Sequence, residues 1–175
     1  MKTTIVSLFL LLLAGCGPVY HHNMLHRLND QNDVIATANR LFVCTDNRDW
    51  ACVRDVFAPE VQFDMTSLGA PKAEKKTPQE IADMWEQGLK ALAAIHHQSG
   101  NFQAAIRENE ADLFCYGTAY HYLPNPTDRN TRTFVGSYNF HLVRADGESA
   151  WKIDRFKFDL KFIEGNKDLE GAGKK

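Results

Sequence analysis

Seven histidines and four cysteines carry most of the reactive chemistry open to this 175-residue chain. His21, His22 and His26 crowd one polar stretch, and imidazoles so close together invite a metal ion. No nearby Cys, Asp or Glu completes a closed ligand set, so the stretch reads as solvated and no metal is expected. His96 and His97 are adjacent, and imidazole is the side chain whose ordinary pKa best suits it to take up and return a proton near neutrality. Read alone, His97 is equally an ordinary cap or core histidine, and Asp46 a turn-forming acid. His121 falls at a strand end beside a polar loop and reads as a surface residue. Cys115 lies on an apolar strand face with no helix N-terminus or cation to activate it, so it is not taken as a nucleophile. Cys44 and Cys52 stand eight positions apart around a turn, where a bridge is conceivable but not decided by spacing.

Cys16 belongs to a different context. Lys2 is followed by an apolar run from Ile5 to Leu13, too short to cross a bilayer and suited to an export signal that is removed. Its end, Leu13-Ala14-Gly15-Cys16, resembles the lipobox of bacterial lipoproteins, which implies that Cys16 becomes the lipid-bearing first residue of the mature chain. The expected organisation is a signal peptide over 1–15, a lipidated tether over 16–29, a domain over 30–166 and a loose Gly- and Lys-rich tail over 167–175. Such a protein is exported and held on a membrane by its lipid. No Asp follows Cys16, so in a cell with two membranes the outer one, facing the periplasm, is expected.

With 20 basic and 22 acidic side chains and no basic run, the chain has no nucleic-acid footprint. A 44% hydrophobic, 24% charged composition describes a globular chain with one core. Val34, Ile35, Ala38, Leu41, Phe42 and Thr45 recur at helical spacing behind the cap candidates Asp30 and Asp33. A turn at Asp46-Asn47-Arg48 leads to a short helix with Trp50, Val53 and Phe57, ended by Pro59. A strand with Val61, Phe63 and Met65 follows, then a polar loop through Lys76. Thr77-Pro78-Gln79-Glu80 is a capping box opening a third helix with Ile81, Met84, Trp85, Leu89 and Leu92 on its buried stripe. After His96-His97 four strands are expected, near 101–107, 112–122, 132–145 and 151–163, with Asp146-Gly147 turning the last hairpin. Helices first and a long antiparallel sheet afterwards is an α+β order.

Asp46-Asn47-Arg48-Asp49-Trp50, Phe57-Ala58-Pro59-Glu60-Val61, His96-His97-Gln98-Ser99-Gly100-Asn101, Gly136-x-Tyr138 and Arg144-x-Asp146 through Trp151-Lys152-Ile153 together resemble the SnoaL-like branch of the nuclear transport factor 2-like superfamily. The resemblance implies a cone: three N-terminal helices on a curved, mainly antiparallel sheet enclosing an apolar pocket. It further implies that Asp46 and His97 pair as in the scytalone dehydratase and dehydrochlorinase members, with His97 as base and Asp46 as its orienter. In the family register Leu41, Phe42, Leu92, Ile95, Leu113, Cys115, Phe134 and Tyr138 line the pocket. Two departures stand out, since Leu41 occupies the place of the dehydrochlorinase Lys and Thr45 that of a dehydratase Tyr. The expected function is therefore binding of a small hydrophobic ligand, with lyase or isomerase chemistry and no cofactor. The alternative is a non-catalytic ligand- or protein-binding domain of the cell envelope. Relatives associate through the outer face of the sheet, so a homo-dimer or homo-trimer is expected.

Overall fold

The computed structural model describes residues 18–172, with side chains from residue 26 onward. Helix α1 (Pro18–Asp46) is longer than the periodicity predicts. Proline is tolerated in a first turn, and no Gly or Pro interrupts the sequence from Val19 to Asp46, so the helix runs back through most of the expected tether. Asp30 is accordingly no cap; it pairs with Arg144 at 2.5 Å instead. Val34, Ala38, Leu41, Phe42 and Thr45 form the buried stripe of α1. Cys16 and the preceding signal-like segment lie outside the described residues. Among the described residues no helix is long and apolar enough to cross a membrane.

Helix α2 (Trp50–Val56) is capped by Asp49, whose carboxylate accepts from the Cys52 N–H at 3.0 Å. A Cys44–Cys52 disulfide, with Cα atoms 5.8 Å apart, fastens α2 to the end of α1. The chain turns extended at Phe57, so that residue opens strand β1 (Phe57–Asp64) instead of extending the helix. Pro59 falls within β1, where the pairing with the last strand shifts between Phe57 and Gln62 and its missing N–H costs no ladder bond. A 3-10 turn (Thr66–Leu68) and a short strand β2 (Glu74–Lys76) replace the expected polar loop. Helix α3 (Pro78–Leu89) has the predicted capping box: the Thr77 hydroxyl accepts from the Glu80 N–H, and Glu80 accepts from the Thr77 N–H at 2.7 Å. It stops before Leu92.

Strands β3 (Ala94–Arg107), β4 (Glu110–Tyr122), β5 (Thr131–Val143) and β6 (Lys152–Gly165) complete one open sheet in the order β2-β1-β6-β5-β4-β3. Among the described residues only β1 and β6 pair in parallel. Strand β3 starts seven residues before its expected beginning, because Ile95, His97 and Ser99 already alternate inward. Gly100 and Asn101, which look like punctuation, form a bulge instead: the register shifts between Gly100 and Gln103, and Asn101 takes a φ of 58°. The three helices cover one face of the sheet, whose core is aromatic: Phe63 stacks on Phe156 at 5.0 Å, and Tyr138 on Phe140 at 5.9 Å.

The described part of the tail is anchored to the domain. Leu169 is fully buried against Leu92 and Ile95, and Glu170 pairs with Arg132. One leucine among Gly and Lys leaves no periodicity, so this anchor is invisible to composition. At the middle of the sheet Gly117 faces Gly136 across strands. A Cβ on Gly117 would meet Cδ2 of Tyr138 at 2.8 Å, so the bare backbone there lets the tyrosine ring lie over β4.

Candidate active site

Asp46 ends α1 and His97 is the fourth residue of β3, so the first helix and the sheet meet at this pair. The His97 ring nitrogen Nδ1 lies 2.6 Å from Asp46 Oδ1, and the His97 backbone N–H donates to Asp46 Oδ2 at 2.8 Å. A carboxylate here only accepts, so Nδ1 carries a proton, and in the neutral ring the lone pair is then on Nε2. Phe42 stacks on the imidazole at 5.3 Å and 19°. Both side chains of the pair are about 15% exposed, which keeps water from loosening the contact. Strand alternation sends His96 outward, where it stacks on Tyr120 at 6.1 Å while its Nδ1 stays 3.7 Å from Asp46 Oδ2.

His97 forms part of the wall of a cavity of about 160 Å³ between the helices and the sheet. Leu41, Phe42, Phe134 and Tyr138, expected in this lining, are there; Leu92, Ile95, Leu113 and Cys115 are not. Leu92 and Ile95 pack on Leu169 in a separate small cluster. Leu113 and Cys115 are buried on the same face of β4, but the Tyr138 ring lies over Gly117 between them and the cavity. Burial pushes the Cys115 thiol up to about 12, so it remains protonated and inert. Burial also raises the Tyr138 phenol above its ordinary value, leaving a neutral hydroxyl in the wall.

The remaining lining comes from Thr45, Met65, Leu68, Trp85, Leu89, Ala119, His121, Phe156 and Phe158. Trp85 and Leu89 belong to the expected buried stripe of α3; Phe156 and Phe158 alternate on the buried face of β6 within the strand expected near 151–163. Met65, expected as part of the alternating strand, lies just past the end of β1, and Leu68 belongs to the 3-10 turn that follows, which left no periodic signal. Thr45 commits its hydroxyl to the Leu41 carbonyl at 2.8 Å. His121 corrects the reading of a surface residue: it shares the inward parity of Ala119, and Arg132, its cross-strand partner, covers it. Arg132 Nη2 lies 3.2 Å from His121 Nδ1. Burial, followed by the Arg132 charge, lowers the His121 pKa to about 4, so this second imidazole is neutral at pH 7. Among the described residues no group of three or more His, Cys, Asp or Glu is placed to hold a metal.

A family model described as SnoaL-like domain matches residues 26–157. No curated protein matches the chain. Among solved structures the fold is similar to that of the Kfla4162 protein from Kribbella flavida, with TM-score 0.74 and 18% identity over 79% of this chain and 95% of that one. It is also similar to a protein of Novosphingobium aromaticivorans DSM 12444 proposed to be a scytalone dehydratase, with TM-score 0.68, 14% identity and 84% and 91% coverage. A third is the hexachlorocyclohexane dehydrochlorinase LinA-type3 from Novosphingobium barchaimii LL02, with TM-score 0.69, 12% identity and 83% and 95% coverage. At these identities the likeness is one of fold.

Proposed function

The chain belongs to the SnoaL-like domain family, and on that premise we propose that it binds a small apolar molecule in the cavity and removes a proton from one of its carbons as a cofactor-independent lyase or isomerase. The observation that carries this reading is the 2.6 Å contact of His97 with Asp46 at the wall of a mostly apolar cavity. With Nδ1–H held by the carboxylate, Nε2 is the basic atom available to a bound molecule. Removing a proton there makes an imidazolium, whose charge Asp46 stabilises without itself taking the proton. The C–H electron pair then becomes a new double bond as a leaving group departs with its own pair, or the proton returns at another carbon. Water exclusion by Phe42, Trp85, Phe134 and Phe158 strengthens each electrostatic term in the site. A cavity of about 160 Å³ suits a body on the order of one six-membered ring, judged by cavities of similar volume that take benzene. Leu41 offers no cation for a departing halide, which favours loss of hydroxide or double-bond migration.

The same proposal places the domain on a membrane through a lipid on Cys16. Helix α1 has twelve residues before Asp30, which pairs with Arg144; at about 1.5 Å each they rise about 18 Å along the helix axis. Native mass spectrometry of wild type and His97→Ala after exposure to an extract of the producing cells tests the chemistry. A small apolar molecule retained unconverted in the mutant alone supports it, with turnover of that molecule falling about 10²- to 10⁴-fold. The same molecule retained unchanged by both proteins would make this a binding domain, and an empty cavity in both would remove the ligand reading.

A further inference from the structure

The C-terminal segment reaches the cavity wall through a single side-chain relay. Leu169, buried against Leu92 and Ile95, fixes the chain next to Glu170. Glu170 receives the Arg132 guanidinium as a fork, with Nη1 donating to Oε2 at 2.8 Å and Nη2 to Oε1 at 2.5 Å. Arg132 Nη1 also reaches the Lys167 carbonyl at 3.4 Å, and Nη2 lies 3.2 Å from Nδ1 of His121. The Arg132 side chain is only 15% exposed, and its Nε is buried without a partner, so Glu170, the Lys167 carbonyl and His121 are what orient the guanidinium.

Guanidinium is donor-only and stays charged in proteins. An Nη–H directed at Nδ1 therefore requires a lone pair on that nitrogen, which leaves the ring proton on Nε2. Phe134 packs against the imidazole at 5.0 Å and also lies under the Arg132 cation at 5.3 Å, so one aromatic ring holds both partners in place. His97 and Asp46 are the other titratable groups felt at His121.

We propose that the C-terminal segment, acting through the Glu170–Arg132 fork, fixes the tautomer of His121 so that it presents an Nε2–H donor to the molecule in the cavity, beside His97, whose cross-strand partner Ala119 is two residues from His121. This rests on the reading of the cavity as the ligand site and refines the ligand class. One imidazole accepts a proton and the other donates a hydrogen bond from the same wall, so the bound molecule carries an acidic C–H and, within a few bonds of it, a hydrogen-bond acceptor such as a hydroxyl or carbonyl oxygen. A bare hydrocarbon would leave the His121 donor desolvated and unpaired. Arg132 and Glu170 are positioning residues: they touch His121, not the ligand.

Long-range proton–nitrogen NMR of the full chain, labelled with 15N at histidine, reads the tautomer directly and without substrate. Wild type should show His121 as one tautomer, with Nδ1 bare and Nε2 protonated. Arg132→Met should lose that signature and give a mixture of both tautomers, and Arg132→Lys, which keeps a donor, should restore it. Glu170→Ala should give a partial mixture, and it decides the matter should Arg132→Met fail to fold. The His97 signature, Nδ1–H on Asp46, should stay unchanged and serves as the internal folding control. A wild-type His121 protonated at Nδ1, or an Nε2–H tautomer that survives in every folded variant, would overturn the relay. Because no turnover is measured, the relay can fail while the His97 chemistry stands, and the reverse.

Discussion

Replacing Gly117 with alanine tests the packing that bounds the cavity. A Cβ built there comes within 2.8 Å of Tyr138 Cδ2 and closer still to Cε2, whereas carbon atoms pack at about 3.5–4.0 Å. The ring must withdraw by roughly 1 Å, yet it is hemmed in by Phe42 at 4.8 Å, Phe158 at 4.8 Å and Phe140 at 5.9 Å. Overpacking of this kind costs about 1–3 kcal/mol. For a domain of this size that is a fall in Tm of about 2–4 °C per kcal/mol. Gly100→Ala is the matched control: it lies one strand position from Ser99, which pairs with Gly117, nothing stands within 4 Å of its added Cβ, and its φ is ordinary. It should change stability by no more than about 0.5 kcal/mol, or add slightly through a stiffer unfolded chain. Urea titration of both, with equal m values, separates stability from a change in the denatured state. Trimming the ring in Gly117→Ala/Tyr138→Leu should recover part of the loss as a coupling of at least about 1 kcal/mol. Equal midpoints for Gly117→Ala and Gly100→Ala would refute the argument that the tyrosine occupies the space a side chain would take.

Leu169→Ala should cost about 2–5 kcal/mol in chemical denaturation, since it empties a fully buried site; a surface-like effect under 0.5 kcal/mol would return the tail to the loose segment its composition suggests. Opening the Cys44–Cys52 bridge by serine replacement of both residues should cost about 2.5 kcal/mol from the entropy of an eight-residue closure, read as a lower urea midpoint in the double variant. Acid should weaken the fold through His121. Its folded pKa of about 4 lies below the ordinary 6.5, so below pH 6.5 the unfolded chain binds a proton that the folded one refuses. That contribution is intact above pH 6.5 and falls by up to about 3 kcal/mol by pH 4. His121→Asn should therefore show a flatter melting profile between pH 6.5 and 4, and parallel profiles would exclude His121 as the source.

The sequence carried most of the architecture because the fold is written in local signals. The capping box at Thr77, the helical stripe from Val34 to Thr45 and the alternation in β4 and β5 each report an element without reference to its neighbours. What the sequence hid was set by partners distant along the chain. Nothing local shows that Leu169 packs on Leu92 and Ile95, or that Arg132 covers His121, and both facts move residues between surface, core and cavity. Leu92 and Ile95 left the expected pocket for the same reason: the tail gave their apolar side chains another place to go. Leu113 and Cys115 were on the correct face but on the wrong side of the Tyr138 ring, a boundary that depends on two facing glycines instead of on any period.

Asp46 shows why the end of α1 is built as it is. A carboxylate at a helix C-terminus faces the negative end of the helix dipole, an arrangement that costs about 0.3–1 kcal/mol in place of the same gain at the N-terminus. A turn-forming acid with no other task would be better placed elsewhere. Here the adverse position is offset by two short hydrogen bonds from one residue, the ring and backbone N–H groups of His97. The last turn is pinned on several sides: Thr45 bonds the Leu41 carbonyl, Asn47 bonds the Val43 carbonyl, Arg48 reaches the Leu92 carbonyl at 2.6 Å, and the disulfide fixes Cys44. These restraints come from α1, α2 and the turn before β3, and they converge on one carboxylate without contributing to the aromatic core. A local cost met by so much surrounding structure fits the proposed role of Asp46 as orienter of His97, since the base in that proposal must be held to within fractions of an ångström of its target.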